Sequence, residues 1–179
     1  AVVRKVTMDD HDKINGKQYS MQRIDMKAEV NHAEYWDVTN TNSKSHGMLH
    51  PFHIHGAHFL VVSRNGQTPN PNEIGVYKDT IEVAPQETVR LKVIFPKEGI
   101  FMYHCHIIEH EDAGMMANIL IVDPTKPEPH YDLMDMETLT KAFAEEKGIP
   151  ESEVFMPGMC TEGYMNHCHD DANSGASHH

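Results

Sequence analysis

The sequence of 179 residues has no long apolar run, no cluster of basic residues and no paired set of cysteines. No stretch approaches the roughly 18 consecutive apolar residues that a membrane-spanning helix needs, so no membrane span is expected. Because lysine and arginine are nowhere clustered, the electrostatic footprint of a nucleic-acid-binding protein is missing. The three cysteines are an odd number, and a disulfide framework does not explain the body of the chain.

The chain also lacks an initiator methionine and a secretory signal, since it begins with AVVRKV. We therefore expect it to be a processed product or a piece of a longer protein. Its length suits one domain with a real core and an extension, and a second full domain is not expected.

The formal net charge of −12 is concentrated towards the C-terminus. Residues 124–179 carry eleven Asp and Glu against three Lys, a net charge of −8, which leaves −4 for residues 1–123. This distribution favours cationic partners. Fifteen histidines and twelve methionines are present, and both side chains bind soft or borderline metals. Metal chemistry is therefore the leading functional class.

Short β-branched and aromatic runs, separated by Gly, Pro and Asn, recur along residues 1–123. The runs are RKVTM, AEYWDVTN, HFLVVS, VYKDTIEV, ETVRLKVIF, GIFMYHC and MANILIVD. Val89, Leu91 and Val93 alternate with polar residues, which is the period of a half-buried strand. About seven strands with turn signals between them indicate an all-β sandwich or small barrel.

The composition changes after Asp123. PTKPEPH predicts a Pro-rich linker, and METLTKAFAEEKG predicts a short helix that is closed by Gly148 and followed by Pro150. From about Glu151 onwards the chain has little core-forming content. We therefore divide it into a domain at residues 1–123 and an otherwise flexible extension, with an acidic tail rich in Met, His and Cys, at residues 124–179.

The segment FMYHCHIIEHEDAGMM, residues 101–116, places Cys105, His110 and Met115 five positions apart. A blue-copper centre uses one thiolate, two imidazoles and a long axial methionine, so one histidine must come from elsewhere. The segment HPFHIHG supplies it. Because side chains of an extended segment alternate between faces, His53 and His55 share a face and His50 points the other way. His50 is therefore the expected fourth ligand.

The same alternation applies to the tripeptide His104-Cys105-His106, in which both histidines point away from the cysteine face. Four imidazoles can then gather at a second metal site: His53, His55, His104 and His106. Four histidines without a carboxylate suit copper better than calcium or magnesium. The tripeptide would join the two sites by a short covalent path, which predicts electron transfer between them.

Together these segments resemble the carboxy-terminal cupredoxin domain of a multicopper oxidase, the family of laccases, bilirubin oxidases and bacterial cuprous oxidases. The resemblance covers roughly residues 3–123 and is carried by HPFHIHG, HCHIIEHEDAGMM, YKDTIEV, INGKQYSM and AEYWDVTN. It implies a cupredoxin-like Greek-key β-sandwich. It also implies that His50, Cys105, His110 and Met115 bind a type 1 copper, that His53 binds a type 2 copper, and that His55, His104 and His106 bind a type 3 pair.

In that family, substrates give up electrons one at a time at type 1 copper, and a trinuclear copper cluster reduces dioxygen to water. The family's cluster takes eight histidines, half of them from an amino-terminal domain with paired His-x-His motifs. Residues 1–49 contain no such pair, so this chain would supply half of the cluster. The expected partners are the N-terminal cupredoxin domains of the same oxidase, dioxygen and a small reducing substrate or metal ion. Alone, the chain is expected to bind type 1 copper and not to reduce oxygen.

The predicted metal ligands also have less specific interpretations. A stand-alone blue-copper electron carrier needs only the type 1 ligands, but it leaves four co-facial histidines unexplained. A structural zinc accepts Cys and His, although Met115 argues against it. The combined spacing of Cys105, His110 and Met115 argues against an ordinary core cysteine. His58 is expected to be a packing or surface residue rather than a ligand.

Carboxylates near the predicted ligands are candidates for proton transfer and ligand orientation. Glu111 and Asp112 are the candidate catalytic residues, and resemblance to the family segment HEDxGM implies that Glu111 relays protons to the oxygen site. A solvated loop carboxylate is the alternative. Asp79 is expected either to hydrogen-bond a ligating imidazole or to be an ordinary turn residue.

The tail contains a second His-Cys-His tripeptide, but Asn173 and His178 stand five and ten places after Cys168, so it is not a second blue-copper loop. Cu(I) binding by soft ligands, a Cys160–Cys168 disulfide and disorder without a copper role all remain open. Met and His richness and negative charge favour Cu(I) or another metal ion as substrate, with phenols or aromatic amines as the alternative. Because many relatives work outside the cytoplasm, an extracytoplasmic location is expected.

Overall fold

The computed structural model describes residues 2–127, 141 and 144–151. Ten strands between Val3 and Val122 form two five-stranded sheets. The first has the order β1-β3-β8-β5-β6, with β1 at Val3–Met8, β3 at Glu34–Asn40, β5 at His58–Arg64, β6 at Tyr77–Lys78 and β8 at Thr88–Ile94. The second has the order β2-β10-β9-β4-β7, with β2 at Met26–Glu29, β4 at His50–Ile54, β7 at Thr80–Val83, β9 at Gly99–Cys105 and β10 at Met116–Val122.

Each sheet has one parallel edge pair, β1 with β3 and β2 with β10, and its other neighbouring strands are antiparallel. Inward-facing side chains of both sheets form a single core. This is the cupredoxin-like β-sandwich that the sequence predicted, and the all-β fold class is confirmed. The alternation of Val89, Leu91 and Val93 is also observed, since all three are buried whereas Thr88, Arg90 and Lys92 have intermediate exposure.

Aromatic rings from both sheets meet at the centre of the core. Trp36 of β3 is fully buried and lies edge-on to Tyr103 of β9, with ring centroids 5.3 Å apart. Phe52 of β4 is 6.4 Å from Trp36 by the same measure. The indole N–H of Trp36 donates to Glu34 Oε2 at 3.2 Å, so the one polar group of this ring has a partner. These contacts hold β4 and β9, which carry the histidine motifs, against the first sheet.

The sequence predicts one strand over VYKDTIEV, but the structure divides this segment between two strands. Tyr77–Lys78 pairs with β5 in the first sheet, and Thr80–Val83 pairs with β4 in the second. The chain crosses from the first sheet to the second at Asp79. Ile81 and Val83, which pair with β4, are buried, whereas Tyr77 is exposed. Strand β2 and the short helix α1 (Ile108–Ala113) were not anticipated.

Only part of the predicted C-terminal helix falls within the described residues. Lys141 and residues 144–147 are helical, and Gly148 follows with a positive φ of 66°. Its backbone N–H donates to the Glu145 carbonyl at 3.4 Å, as expected at a helix end. The second His-Cys-His tripeptide, Cys160 and Cys168 lie outside the described residues.

Among the residues that the structure describes, no helix is long and apolar enough to cross a membrane.

Candidate metal centre

Strands β4 and β9 are neighbours, and their register aligns the two histidine motifs. Phe52 pairs with Cys105 and His53 pairs with His104. The chain beyond each strand continues this pairing, since the His55 N–H donates to the Met102 carbonyl and the His106 N–H to the Pro51 carbonyl. The segments HPFHIHG and HCH, about 50 residues apart in sequence, therefore lie side by side in the second sheet.

We call His50, Cys105, His110 and Met115 the thiol cluster. The Cys105 Sγ lies 3.4 Å from His50 Nδ1 and 3.6 Å from His110 Nδ1. His50 and His110 lie with ring centroids 5.0 Å apart. His50 is 1% exposed and both Cys105 and Met115 are fully buried, whereas His110 is partly exposed. Two imidazole nitrogens thus face one thiol in a site that opens to solvent at a single histidine.

Helix α1 returns the chain to this cluster. It ends at Gly114, whose φ of 114° is a conformation that favours glycine. The turn brings Met115 back to β9, where its carbonyl accepts a hydrogen bond from the Cys105 N–H at 3.1 Å. The Met115 N–H in turn donates to the His110 carbonyl at 2.9 Å. Cys105 ends β9, His110 lies in α1 and Met115 follows the turn at Gly114, which accounts for the five-residue spacings in the sequence.

We call His53, His55, His104 and His106 the imidazole cluster. Ring centroids of His53 lie 4.9 Å from those of His55, 5.2 Å from His104 and 5.3 Å from His106. The Nε2 atoms of His55 and His104 are 3.0 Å apart. His104 is buried and His53 is partly exposed, but His55 and His106 are exposed. The imidazole cluster is therefore more exposed to solvent than the thiol cluster.

Hydrogen bonds decide which nitrogen of two of these rings carries the proton. His53 Nδ1 lies 2.9 Å from the Asp79 carbonyl, and His104 Nδ1 lies 2.9 Å from the Cys105 carbonyl. A carbonyl oxygen can only accept a hydrogen bond, so each Nδ1 carries the proton and each Nε2 presents a lone pair. This is the outer hydrogen bonding that metal-binding histidines usually show.

Burial favours the uncharged form of two histidines in the imidazole cluster, His104 and His55. It lowers the pKa of His104, and the neighbouring histidines act in the same direction. Burial also lowers the pKa of His55, again with His104 and His53 adding to the effect. Neutral imidazoles with converging lone pairs are the form that binds a metal cation.

The thiol cluster shows the same effect more strongly. Burial, followed by the proximity of His110, lowers the pKa of His50 from 6.5 to about 4. Burial raises the pKa of Cys105 from 9.0 to about 11. The metal-free cluster therefore holds a neutral imidazole and a neutral thiol, and a bound cation would supply the charge that stabilises the thiolate.

The two candidate catalytic carboxylates have different surroundings. Glu111 Oε2 lies 3.4 Å from His104 Nδ1, which places it between α1 and the imidazole cluster. Asp112 is exposed.

Two further sequence candidates also differ in their surroundings. The Asp79 carboxylate is 3.9 Å from His53 Nδ1, so the backbone carbonyl of Asp79 and the Thr80 hydroxyl, each at 2.9 Å, hold that ring instead. His58 is exposed and lies in a shallow groove with Tyr77 and Ile94.

A cavity of about 200 Å³ lies beside the two imidazoles of the thiol cluster. Its lining includes His50, His110, Asp9, Asp10, Asp12, Asn42, His46 and Met48. The three aspartates were not predicted as site residues, although the run DDHD immediately after a predicted strand is visible in the sequence. The loop after β1 thus gives the exposed edge of the thiol cluster an acidic wall.

The donor sets of both clusters fit copper. The thiol cluster offers one thiol sulfur and two imidazole nitrogens, and the backbone of buried Met115 is hydrogen-bonded to Cys105 and His110. These residue types match the ligands of a blue-copper centre. The imidazole cluster offers nitrogen donors, because the hydrogen bonds on Nδ1 of His53 and His104 leave the lone pair of each ring on Nε2. Imidazole nitrogens suit copper, zinc, iron and nickel, and the adjoining thiol cluster favours copper among them.

Comparison with known proteins identifies the family. The family model described as multicopper oxidase matches residues 2–125. A multicopper oxidase of Staphylococcus aureus is 45% identical over 114 residues, which are 64% of this chain and 25% of that protein. The chain thus spans about a quarter of the length of this curated relative.

Solved structures give the same result. The structure of a multicopper oxidase from Pediococcus acidilactici matches with 55% identity and a TM-score of 0.71, covering 74% of this chain and 28% of that one. A Campylobacter jejuni multicopper oxidase, described as a metallo-oxidase, matches with 34% identity and a TM-score of 0.59, covering 68% of this chain and 30% of that one. The chain belongs to the multicopper oxidase family, and its relatives include laccases and a metallo-oxidase.

Proposed function

We propose that this chain is the carboxy-terminal copper-binding domain of a multicopper oxidase. It takes electrons from a reducing substrate at a type 1 copper and passes them to a trinuclear copper cluster that reduces dioxygen to water. The observation that carries the proposal is the arrangement of two donor clusters on opposite faces of the same strand end, with Cys105 in one and its neighbours His104 and His106 in the other.

The type 1 site is assigned to the thiol cluster: His50, Cys105, His110 and Met115. Half of the trinuclear site is assigned to the imidazole cluster: His53 for type 2 copper, and His55, His104 and His106 for the type 3 pair. Copper supplies one-electron redox chemistry when it is bound at these sites. The short Sγ distances to His50 and His110, and the lone pairs of His53 and His104, support these assignments.

The chain's own contribution to electron transfer is a short path. Peptide bonds connect Cys105 directly to His104 and His106, and the His104 Nδ1–H donates back to the Cys105 carbonyl at 2.9 Å. His104, whose ring lies in the imidazole cluster, is thus hydrogen-bonded to Cys105, whose sulfur lies in the thiol cluster. No side chain has to move to complete this path.

Glu111 is proposed to handle protons. Oxygen reduction consumes protons, and an acid near the oxygen site must deliver them. The Glu111 carboxylate lies 3.4 Å from His104 Nδ1 and is partly exposed, so it contacts both the imidazole cluster and solvent. Asp112, exposed on the same helix, is retained as a candidate for exchanging protons between Glu111 and solvent.

The remaining ligands are proposed to come from other cupredoxin domains of the same oxidase. Four histidines are half of the eight that the family's cluster takes. His55 and His106 are exposed, as expected for a half-site that another domain covers. The relatives are about four times longer than the stretch they share with this chain, which leaves room for such domains. By itself the chain is therefore expected not to reduce oxygen.

A metal cation such as Cu(I) is proposed as the substrate, ahead of phenols or aromatic amines. The cavity at the exposed edge of the thiol cluster is walled by Asp9, Asp10 and Asp12. Carboxylates at this position raise the local concentration of cations and lower that of anions. Met48 and His46 add a thioether and an imidazole, which are ligands suited to Cu(I).

A copper count with optical and spin-resonance spectra on the copper-loaded chain tests the proposed function. We expect one copper per chain with an intense blue band, no coupled type 3 signal and no oxygen consumption. Three or four coppers per chain with oxygen turnover would show that copies of the chain complete the cluster among themselves. A blue band that persists without any oxygen chemistry after addition of the missing domains would favour a stand-alone electron carrier.

The substrate is tested in the completed oxidase with Asp10→Asn. We expect the rate of metal-cation oxidation at low substrate concentration to fall about threefold to tenfold, with little change for a neutral diphenol. High salt should reduce the difference, because it screens exposed charges. An equal loss for both substrates would contradict the role assigned to the acidic wall.

A further inference from the structure

Asn42 carries a buried atom whose hydrogen-bonding capacity is unused. Within the described part of the chain, its Oδ1 is the one buried side-chain nitrogen or oxygen without a hydrogen-bond partner. The residue is 5% exposed and lies in the wall of the cavity beside the thiol cluster. Its Nδ2 lies 3.0 Å from His50 Nε2 and 3.3 Å from the Met48 carbonyl.

The position of the His50 ring makes this contact a conflict in the copper-binding state. His50 Nδ1 is the nitrogen that faces Cys105 Sγ, at 3.4 Å. A neutral histidine that binds a metal through Nδ1 carries its proton on Nε2. The Nε2–H would then point at the amide N–H of Asn42, which is also a donor. One rotation of the Asn42 amide exchanges Nδ2 for Oδ1, which removes the donor conflict with His50 and gives Oδ1 a donor, at the cost of the Nδ2 hydrogen bond to the Met48 carbonyl.

We propose that Asn42 is a positioning residue of the type 1 site, whose Oδ1 accepts a hydrogen bond from His50 Nε2–H when copper is bound. This inference rests on the proposed function, because it takes His50 as a copper ligand. The hydrogen bond selects the tautomer with a free Nδ1 and fixes the orientation of the ring. It also makes the imidazole a stronger electron donor, which stabilises the oxidised metal.

The backbone around Asn42 is held independently of the amide orientation. Asn40 Oδ1 accepts a hydrogen bond from the Asn42 N–H at 3.0 Å, and Gln86 Nε2 donates to the Asn42 carbonyl at 2.8 Å. Asn40 Nδ2 also donates to the Met48 carbonyl at 2.8 Å, so that carbonyl keeps a donor after the rotation. The backbone of Asp9 also hydrogen-bonds His50, and it is the same in every side-chain variant. The orientation of one amide is therefore the variable that an Asn42 substitution changes.

The test compares Asn42→Ala and Asn42→Asp in the chain loaded with one copper. Alanine removes the acceptor, and aspartate keeps an acceptor and adds negative charge. The control is Ser43→Ala, since Ser43 lines the same cavity and its hydroxyl lies 3.4 Å from that of Ser45. The readouts are the midpoint potential, followed by the blue band, and the hydrogen-exchange rate of His50 Nε2–H in the reduced, diamagnetic form by NMR.

We expect Asn42→Ala to raise the potential and to speed Nε2–H exchange about fivefold, the effect of losing one ordinary hydrogen bond. Asn42→Asp should lower the potential and keep exchange slow, and Ser43→Ala should leave both values at those of the wild type. A potential that rises in Asn42→Ala and falls in Asn42→Asp distinguishes this role from general loosening of the site, which would shift the potential of both variants in the same direction. Wild-type values in Asn42→Ala, or equal shifts in both variants, would overturn the inference.

The result also separates this inference from the proposed function. A wild-type chain that develops no blue band contradicts both. A blue wild-type chain whose Asn42 variants keep its potential and exchange rate contradicts this inference alone. If Asn42→Ala does not fold, Asn42→Asp decides the question, because fast Nε2–H exchange in that variant would overturn the proposed hydrogen bond.

Discussion

The thiol cluster and the imidazole cluster share one strand end but differ in how completely this chain encloses them. In the thiol cluster, His50, Cys105 and Met115 are buried by the sandwich core and by the turn after α1. In the imidazole cluster, His55 and His106 are exposed. The enclosed cluster supports the proposal that this chain builds one metal site alone, and the exposed cluster supports the proposal that another domain completes the second.

Cys105→Ser should have the largest effect, because it removes the thiol from the thiol cluster. Oxygen replaces the thiolate that gives a type 1 centre its intense charge-transfer band, so the blue colour should be lost entirely. The fold should remain, because the core around Trp36 and Phe52 does not depend on the metal. Absorption and circular dichroism spectra of the copper-loaded variant check this. A blue band that survives would show that Cys105 is not the ligand.

Gly56→Ala should damage the imidazole cluster by a packing effect. Gly56 follows His55 at a φ of 74°, and an added Cβ would overlap with the Phe101 ring. We expect a loss of about 3 kcal/mol in the free energy of unfolding, from overpacking and from the left-handed backbone together. The thiol cluster should still turn blue in the molecules that fold.

Gly66→Ala is the matched control for that substitution. Gly66 has the same φ of 74°, but among the described residues no atom lies within 4 Å of the position that its Cβ would take. The loss there should be only about 1 kcal/mol, since backbone strain acts alone. Chemical denaturation of both variants measures the difference. Equal losses would mean that Phe101 moves aside without cost.

Acid should destabilise the metal-free chain through the thiol cluster. The pKa of His50 is about 4 in the folded chain against 6.5 for an ordinary histidine, so the unfolded chain takes up the proton first. The stabilisation is complete above pH 6.5 and is lost as the pH falls towards 4, roughly 2 to 3 kcal/mol in total. Lowered pKa values of His55 and His104 add a change of the same sign.

Denaturation at pH 7.5 and about pH 4.5 checks this in the wild type, His50→Gln and His58→Gln. The His50 variant should lose part of the pH dependence, whereas the variant of exposed His58 should keep it. A pH dependence that is the same in all three proteins would assign the acid sensitivity to other groups.

Met115→Leu should have the smallest effect and should sharpen the assignment of the thiol cluster. Removing the weak axial sulfur should raise the reduction potential while the blue band remains. The control is Met116→Leu, because Met116 begins β10 opposite His104 and is not fully buried. Spectroelectrochemical titration measures both. A shift in Met116→Leu with none in Met115→Leu would reverse the axial assignment.

Much of the fold was predictable because its signals are local. The alternation of Val89, Leu91 and Val93 identified β8, and similar runs identified β3, β5, β9 and β10. The division of VYKDTIEV at Asp79 was not predictable, since both halves have strand composition and only their partners differ. The short helix α1 was missed because six residues are too few to show a helical period.

The candidate site was predictable to a similar degree. Parity along two strands predicted the opposite facing of Cys105 and His104, and the structure places their side chains in different clusters. The contacts of Asp79 with His53 and of Asn42 with His50 could not be predicted from the sequence in the same way. Asp79 contacts His53 mainly through its backbone carbonyl rather than its carboxylate, and Asn42 reaches His50 from a loop with no metal-binding motif.

By itself the sequence determined the chemistry of the donors and the face on which each one lies. Ligand types follow from residue identity, and facing follows from the two-residue period of an extended chain. Tertiary structure decided what surrounds those donors: the protonated nitrogen of His53 and His104, the lowered pKa of His50, the acidic wall at Asp9, Asp10 and Asp12, and the closure of one cluster but not the other. These properties depend on burial and on contacts between residues far apart in the chain, which only the folded arrangement of both sheets provides.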